Sequence, residues 1–284
     1  MDIKGFFDNI DHTLMMKAVR KHAKEKWIPL YIERWLNAPA QEEDGTLRER
    51  DKGTPQGGVI SPLLANLFLH YAFDEWMRRN YPASSFERYA DDIVVHCETD
   101  LKAKHLREAI TERLRQCKLE LNQEKTKIVF CKEAGRRGNY SHEKFDFLGY
   151  TFRPRLSRSR RGVYFVGFNP AASNEAKKLL LEKMRSFKIH RRSQTSLEGL
   201  AEIMNPVLGG WIHYYDKYQK TSISSTLYRV NDMLLKWACR KYKHFGAARV
   251  SACHWLMEIA KREPNLFAHW QMGIKPTMWT IRAV

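Results

Sequence analysis

A chain of 284 residues, 43% hydrophobic and 12% aromatic, is long enough to bury two cores, and its formal charge of +17 points to a polyanionic partner. No apolar run approaches the roughly 20 residues that span a bilayer, and the opening MDIKGFFDNIDH has neither the basic start nor the apolar stretch of a secretory signal. The five cysteines (Cys97, Cys117, Cys131, Cys239 and Cys253) have no paired spacing, which argues against a disulfide framework or a zinc knuckle and for reduced thiols in a cytoplasmic protein.

Asp2, at the start, precedes Ile3, Phe6 and Phe7 in a run that reads as a strand. Residues 13–36 place Leu14, Ala18, Ala23, Trp27, Leu30, Tyr31 and Trp35 at helical spacing, with Pro29 expected to break the run in two. EEDGTLRERDKGTPQGG is turn-rich and reads as a hairpin and then a loop. SPLLANLFLHYAFDEWM follows as a helix, with Ser61 as its N-cap and Pro62 at the first helical position. Residues 86–97 read as strand, turn and strand. Residues 99–117 read as an amphipathic helix with Leu101, His105, Leu106, Ala109, Ile110 and Leu114 on one side. TKIVF and FDFLGYTF are short β segments around a polar loop, RPRLSRSRRG an Arg/Ser-rich connector, and VYFVGF one more strand. From Pro170 the pattern is helical, with breaks at Asn205 and Pro206 and at Gly209 and Gly210; Trp211, Tyr214, Tyr215 and Tyr218 read as core. His12, His70, His96, His213 and His254 stand singly and read as structural or RNA-contacting.

Charge divides the chain. Residues 1–150 carry 25 Lys and Arg against 24 Asp and Glu, a net of +1; residues 151–284 carry 24 against 8, a net of +16. A half so basic, interleaved with Trp and Tyr, reads as a nucleic-acid surface. In the near-neutral half, Asp91 and Asp92 sit side by side in RYADDIVVHC. Two aspartates between strands suit a hairpin turn. They also suit a metal site if Asp2 lies beside them, because three converging carboxylates stay ionised only when a cation neutralises them. Hard oxygen ligands select Mg²⁺ or Mn²⁺.

DIKGFFDNIDH, GTPQGGVISPLLANLFLH, YADDIVVHC, LELNQEKTKIV and FDFLGYTF resemble the successive palm motifs of reverse transcriptases, those of the group II intron-encoded type above all. SLEGLAEIMNPVLGGWIHYYDKY and the helical region after it are similar to the maturase (thumb, or X) domain of the same proteins, so the resemblance covers essentially the whole chain. It implies an α+β fold: a polymerase palm over 1–155, a basic connector and strand over 156–169, and a mostly α-helical maturase domain over 170–284. A fingers region, which relatives carry upstream of the first motif, would be missing, leaving Asp2 on an edge strand cut short.

The resemblance also implies roles. Asp2 and Asp91 would bridge two Mg²⁺ ions (or Mn²⁺), with Asp92 the third acid. Phe7 would exclude a 2′-hydroxyl, Gln56 and Gly57 would line the nucleotide pocket beside Gly58, and Lys125 would approach the triphosphate. Leu148, Gly149 and Tyr150 would grip the primer end, and Arg158, Arg160 and Arg161 would contact RNA. Partners would be an intron RNA template, a DNA or RNA primer and deoxynucleoside triphosphates, with no membrane. Two other readings stand beside this one: a catalytically inactive RNA-binding splicing cofactor, and a reverse transcriptase of another lineage (retron, diversity-generating or CRISPR-associated).

Overall fold

Side-chain caps start four of the described helices, and apolar spacing sets the faces that they bury. The structure, a computed structural model, describes residues 1–41, 44–55, 57–136, 138, 140–246 and 248–278, with the backbone alone at 220. The chain divides into two compact units, Met1–Ile128 and Val129–Val284. The architecture is the mixed one that the sequence predicts, helices with small antiparallel sheets and then a largely helical region.

In the first unit, α1 (Phe6–Asn9), α2 (His12–His22) and α3 (Trp27–Asn37) precede a minimal hairpin of β1 (Ala40–Gln41) and β2 (Leu47–Arg48). α4 (Ser61–Leu69) passes through a π-helical turn, His70–Asp74, into α5 (Glu75–Asn80). The antiparallel hairpin of β3 (Phe86–Tyr89) and β4 (Asp92–Val95) then leads to α6 (Asp100–Gln116). The Asp11 carboxylate accepts from Leu14 N at the start of α2, and the Thr99 hydroxyl from Lys102 N at the start of α6. Each satisfies an amide that its helix leaves free. Ile3, Phe6, Met15, Phe68, Phe73, Met77, Ile93, Ile110 and Leu114 share one core.

Expectations change in this unit. The helical run breaks at 23–26, not at Pro29, which lies in the first turn of α3 where its missing N–H has no helical partner to lose. Ser61 is the first residue of α4 rather than its cap, and its hydroxyl donates to Pro55 O at 2.6 Å. α3 turns Ile32 and Leu36 inward, so Trp27, Leu30, Tyr31 and Trp35 face water. Leu101 and His105 of α6 are exposed too, the buried side being Leu106, Ile110 and Leu114.

In the second unit, β5 (Phe145–Phe147), β6 (Tyr150–Arg158) and β7 (Tyr164–Ala172) form an antiparallel sheet in that order. α7 (Asn174–Ser186), α8 (Leu197–Tyr215), α9 (Ser224–Lys241), α10 (Arg249–Arg262) and α11 (Ala268–Gln271) follow. The Ser173 and Ser196 hydroxyls cap α7 and α8 by accepting from Ala176 N and Gly199 N. TKIVF carries no regular structure. The expected connector is instead a ribbon: RPRLSR completes β6, which pairs with β7 from Tyr150↔Ala172 to Arg158↔Tyr164. Pro170 belongs to β7, an edge strand that tolerates its missing donor, and the helix starts only at Asn174. α8 runs unbroken through Pro206, Gly209 and Gly210. Burial of Leu200, Met204 and Leu208, with Asn205 bonded to Leu266 O and Ala268 N at 2.9 Å each, outweighs the roughly 3 kcal/mol that an internal proline costs.

A polar knot closes this second core. Asn231 Oδ1 accepts from Trp270 Nε1 at 2.9 Å and lies 2.8 Å from His269 Nε2, while Asn231 Nδ2 donates to Ile274 O at 3.1 Å. His269 Nδ1 is buried with no hydrogen-bond partner among the described residues. Burial pushes the imidazole down to about 3, so it is neutral at physiological pH. A depressed histidine gives stability that is complete above its unfolded value of 6.5 and is lost as pH falls toward about 3. Stability is therefore expected to fall between pH 6.5 and 3, with a slope of up to roughly 1.4 kcal/mol per pH unit from this group, and the melting temperature with it. His269→Gln should flatten that slope in a pH-dependent thermal melt. An unchanged slope would remove His269 from the account. Among the described residues no helix is long and apolar enough to cross a membrane.

Candidate active site

Residues 1–4 make no strand of their own, only an isolated bridge at Ile3 before the chain turns at Lys4. Met1 and Ile93 exchange backbone hydrogen bonds of 2.7 and 3.2 Å on one side. On the other, Lys4 N donates to Glu120 O and Asn122 N to Asp2 O, both at 2.9 Å, about an antiparallel bridge between Ile3 and Leu121. Asp2 thus sits between β4 and the segment 120–122, held from both sides rather than frayed at an edge as expected. Its carboxylate accepts from Asn122 Nδ2 at 3.0 Å and pairs with Lys125 Nζ at 3.6 Å. The LELNQEKTK stretch therefore meets the first acid.

The other two acids sit at the tip of the β3–β4 hairpin. Tyr89 pairs with Asp92, and Ala90 and Asp91 make the two-residue turn. Ala90 takes a left-handed φ of +52°, the sign that two-residue hairpin turns favour. Partial burial, then the charges of Asp91 and Asp2, raise the Asp92 carboxyl above the ordinary aspartate range; Lys125 and the Met1 ammonium act against them. The structure thus brings Asp2, Asp91 and Lys125 within electrostatic reach of Asp92.

Arg88, which sequence reasoning missed, holds this tip. Its Nε and Nη2 donate to the two Asp74 carboxylate oxygens at 2.8 and 2.6 Å. Its Nη1 donates to Asn66 Oδ1 at 2.9 Å and to Ala90 O at 3.0 Å. The Arg88 and Asp74 side chains are each only 11% exposed. One guanidinium therefore ties the turn before Asp91 to α4 and to the π-helical turn, the kind of irregularity often found near functional sites. Arg113 Nε and Nη2 donate to Ala72 O and Tyr71 O at 3.0 and 3.1 Å, satisfying carbonyls in that turn.

Phe7 lies on α1, not on a strand: Gly5, at φ +52°, turns the chain into this helix. The ring is half-buried, 5.4 Å from that of Phe6, and Phe7 O accepts from Thr54 N at 2.7 Å. The GTPQGG loop is thereby docked on α1. Gln56 lies outside the described residues. Gly57 is exposed at φ +80°, a conformation that favours glycine. The five singled-out histidines include three with local partners: His12 with Gly53 O at 2.8 Å, His70 with Asp74 at 3.8 Å and His96 with Glu87 at 2.5 Å.

Leu148, Gly149 and Tyr150 belong to the second unit, the first two as the turn between β5 and β6 and Tyr150 as the first residue of β6. Leu148 and Gly149 both have positive φ, +50° and +77°, and a Cβ on Gly149 would strike Tyr215 Oη. Tyr214 Oη donates to Leu148 O at 2.9 Å, Tyr150 Oη donates to Tyr214 O, and Ser173 N donates to Gly149 O at 2.9 Å. Burial, with the neighbouring tyrosines, pushes Tyr150 up to about 12, so it stays a donor. Of the four aromatics read as core, Tyr215 is buried and Trp211 half-buried, but Tyr214 and Tyr218 are exposed. Arg158 ends β6 with its guanidinium 5.7 Å from the Tyr164 ring, and Arg160 and Arg161 occupy the exposed turn of the ribbon.

Among the described residues no group of three or more His, Cys, Asp or Glu side chains is drawn close enough to hold a metal ion. The donor chemistry at the hairpin tip nevertheless fits a hard divalent cation. Asp92 is raised by partial burial and then by the carboxylates of Asp91 and Asp2, oxygen donors of the kind such a cation takes.

Residues 1–152 match the reverse transcriptase (RNA-dependent DNA polymerase) family, and residues 177–255 match the group II intron, maturase-specific domain. Over 191 residues, 55% of the chain, it is 30% identical to protein YkfC of Escherichia coli (strain K12), spanning 47% of that protein. A 69-residue stretch, 24% of the chain, is 42% identical to the group II intron-encoded protein LtrA of Lactococcus lactis subsp. cremoris, of which it spans 11%. The retrovirus-related Pol polyprotein from type-2 retrotransposable element R2DM of Drosophila melanogaster is 21% identical over 262 residues, 85% of the chain and 24% of that protein. The chain thus spans less than half the length of each of these relatives.

Proposed function

This chain belongs to the reverse transcriptase (RNA-dependent DNA polymerase) family, and from that premise we propose that it copies intron RNA into DNA by two-metal nucleotidyl transfer and binds the intron RNA as a maturase. The observation that carries the reading is the meeting of charges at the hairpin tip, where Asp92, raised first by partial burial, is raised further by Asp91 and Asp2. A site that raises a carboxyl in this way gains by binding a cation. Asp2, Asp91 and Asp92 would hold the two ions, Mg²⁺ or Mn²⁺. When bound, such ions neutralise charge on the attacking and leaving oxygens of a phosphoryl displacement.

The chain's own residues do the rest. Lys125, whose Nζ already lies 3.6 Å from Asp2, would turn its ammonium to the triphosphate and give a proton from Nζ to the departing pyrophosphate. Gln56 and Gly57 would line the nucleotide pocket. Leu148, Gly149 and Tyr150 would hold the primer end, a DNA or RNA 3′ terminus, and Arg158, Arg160 and Arg161 would contact phosphates of the template or intron RNA. The polymerase part would take in residues 1–155 and the maturase part 170–284, with the basic ribbon between them. The match to a maturase-specific domain favours this reading over reverse transcriptases of other lineages. The full set of acids favours it over an inactive splicing cofactor.

The test is extension of a DNA primer on an RNA template with deoxynucleoside triphosphates and Mg²⁺. Phe7 supplies a second, finer result. A half-buried ring on the α1 surface acts by exclusion, so Phe7→Val should keep part of the DNA synthesis while admitting ribonucleotides. Single-nucleotide incorporation with matched deoxy and ribo substrates measures the ratio. An unchanged ratio would reduce Phe7 to a packing residue.

A further inference from the structure

α3 presents aromatic surface to water. Trp27 is 58% exposed, and Leu30, Tyr31 and Trp35 are each 46% exposed. Trp27, Tyr31 and Trp35 recur every four residues, with neighbouring ring centroids 6.2 and 6.1 Å apart, so the three rings climb one side of the helix as a ladder. The core needs none of them, since Ile32 and Leu36 already supply the buried face. Residues 20–37 carry Arg20, Lys21, Lys24, Lys26 and Arg34 against Glu25 and Glu33. Glu33 is taken up by Arg20, at 3.7 Å, and Lys21 lies over the Tyr71 ring. Among the described residues Lys24, Lys26 and Arg34 make no ion pair; all three are exposed, Lys24 and Lys26 in the residues that lead into α3, and the Arg34 guanidinium is 6.0 Å from the Tyr31 ring.

We propose that this face of α3 is a binding platform for single-stranded nucleic acid, bases stacking on Trp27, Tyr31 and Trp35 while Lys24, Lys26 and Arg34 meet the phosphates. Exposed rings with unpaired cations alongside are the combination that binds single strands without regard to sequence, because every base has a π-face. Charge selects this occupant over a second copy of the chain, which would bring another +17 to the contact. The platform goes beyond the polymerase reading and does not depend on the acids at the hairpin tip.

The experiment uses the full chain and a 12-nucleotide single-stranded RNA containing 5-iodouridine. Photocrosslinks should fall on the segment between Lys26 and Arg34, which trypsin releases. In fluorescence anisotropy with the same RNA, replacing Trp27, Tyr31 and Trp35 by Gln should weaken binding at least about tenfold, since each stacked base contributes about 1–3 kcal/mol. Replacing Lys24, Lys26 and Arg34 by Gln should instead flatten the salt dependence, by about 2 in log–log slope at roughly 0.7 per phosphate. All six side chains are exposed, so the thermal melt should hardly move. Crosslinks confined to other segments, with affinity unchanged in the aromatic variant, would overturn the proposal. So would a chain that self-associates through this face, with dimers in sedimentation that the aromatic variant abolishes and no change in RNA affinity. A chain that fails to extend primers yet crosslinks at 27–34 would refute the polymerase reading alone.

Discussion

Asp92→Ala is expected to lower RNA-templated DNA synthesis on the order of 10³-fold or more while intron RNA binding stays unchanged. The size follows from the role: an acid that helps hold catalytic cations acts only at the displacement, and its loss falls on the rate rather than on template affinity. Locality follows from the chain, because residues 151–284 carry a net +16 and the hairpin tip belongs to the near-neutral half. Single-turnover primer extension and filter binding separate the two quantities. A Mn²⁺ titration followed by EPR gives a readout apart from activity: affinity should fall in Asp92→Ala, where one of the three carboxylates proposed to hold the ions is gone. Synthesis that survives the substitution would mean that the acids at 2, 91 and 92 are not the working site.

Arg88→Met is expected to destabilise the first unit by about 3–5 kcal/mol, the cost of stranding the buried Asp74 carboxylate without its partner. Arg88 also holds Ala90 O and Asn66 Oδ1, so the same change frees the turn that carries Asp91. The double variant Arg88→Met, Asp74→Leu separates these effects. An apolar pair of similar volume often replaces a buried ion pair at little cost, so the melting temperature should recover. DNA synthesis should stay depressed, because no apolar side chain restores the bond to Ala90 O. Recovery of both would make Arg88 a matter of stability alone.

Much of this site was legible in sequence because it is local. Asp91 and Asp92 between short apolar runs, Thr99 before an amphipathic stretch and GTPQGG before a helix each carry their meaning within a few residues. Misreadings arose where distance or direction decides. Spacing alone marks 27, 31 and 35 as one helical face but cannot say whether that face or that of Ile32 and Leu36 turns inward. Pro29 reads as a breaker until its place in the first turn is known. Ser61 looks like a cap, but its hydroxyl goes to Pro55 O. RPRLSRSRRG has the composition of a linker, and only its partner strand some ten residues later makes it part of a ribbon. Arg88 has no local signature, since Asn66 reaches it from α4 and Asp74 from the π-helical turn. Asn122 at Asp2 is hidden for the same reason, and more so across 120 residues.

The position of the seam between the two units bears on how such chains can be shuffled in evolution. The family match ends at residue 152, the third residue of β6, whereas the chain divides into its two compact units after Ile128. A recombination at the end of the match would part Tyr150, Thr151 and Phe152 from Ala172, Ala171 and Pro170 across the ladder, and Leu148 O from Tyr214. A crossover near 128 severs none of those bonds and carries the β5–β6 turn along with the helices that brace it. Lineages that trade the later portion of this protein should therefore inherit the turn with the helices, and mosaic genes among its relatives should show their joints nearer Ile128 than the end of the recognised domain.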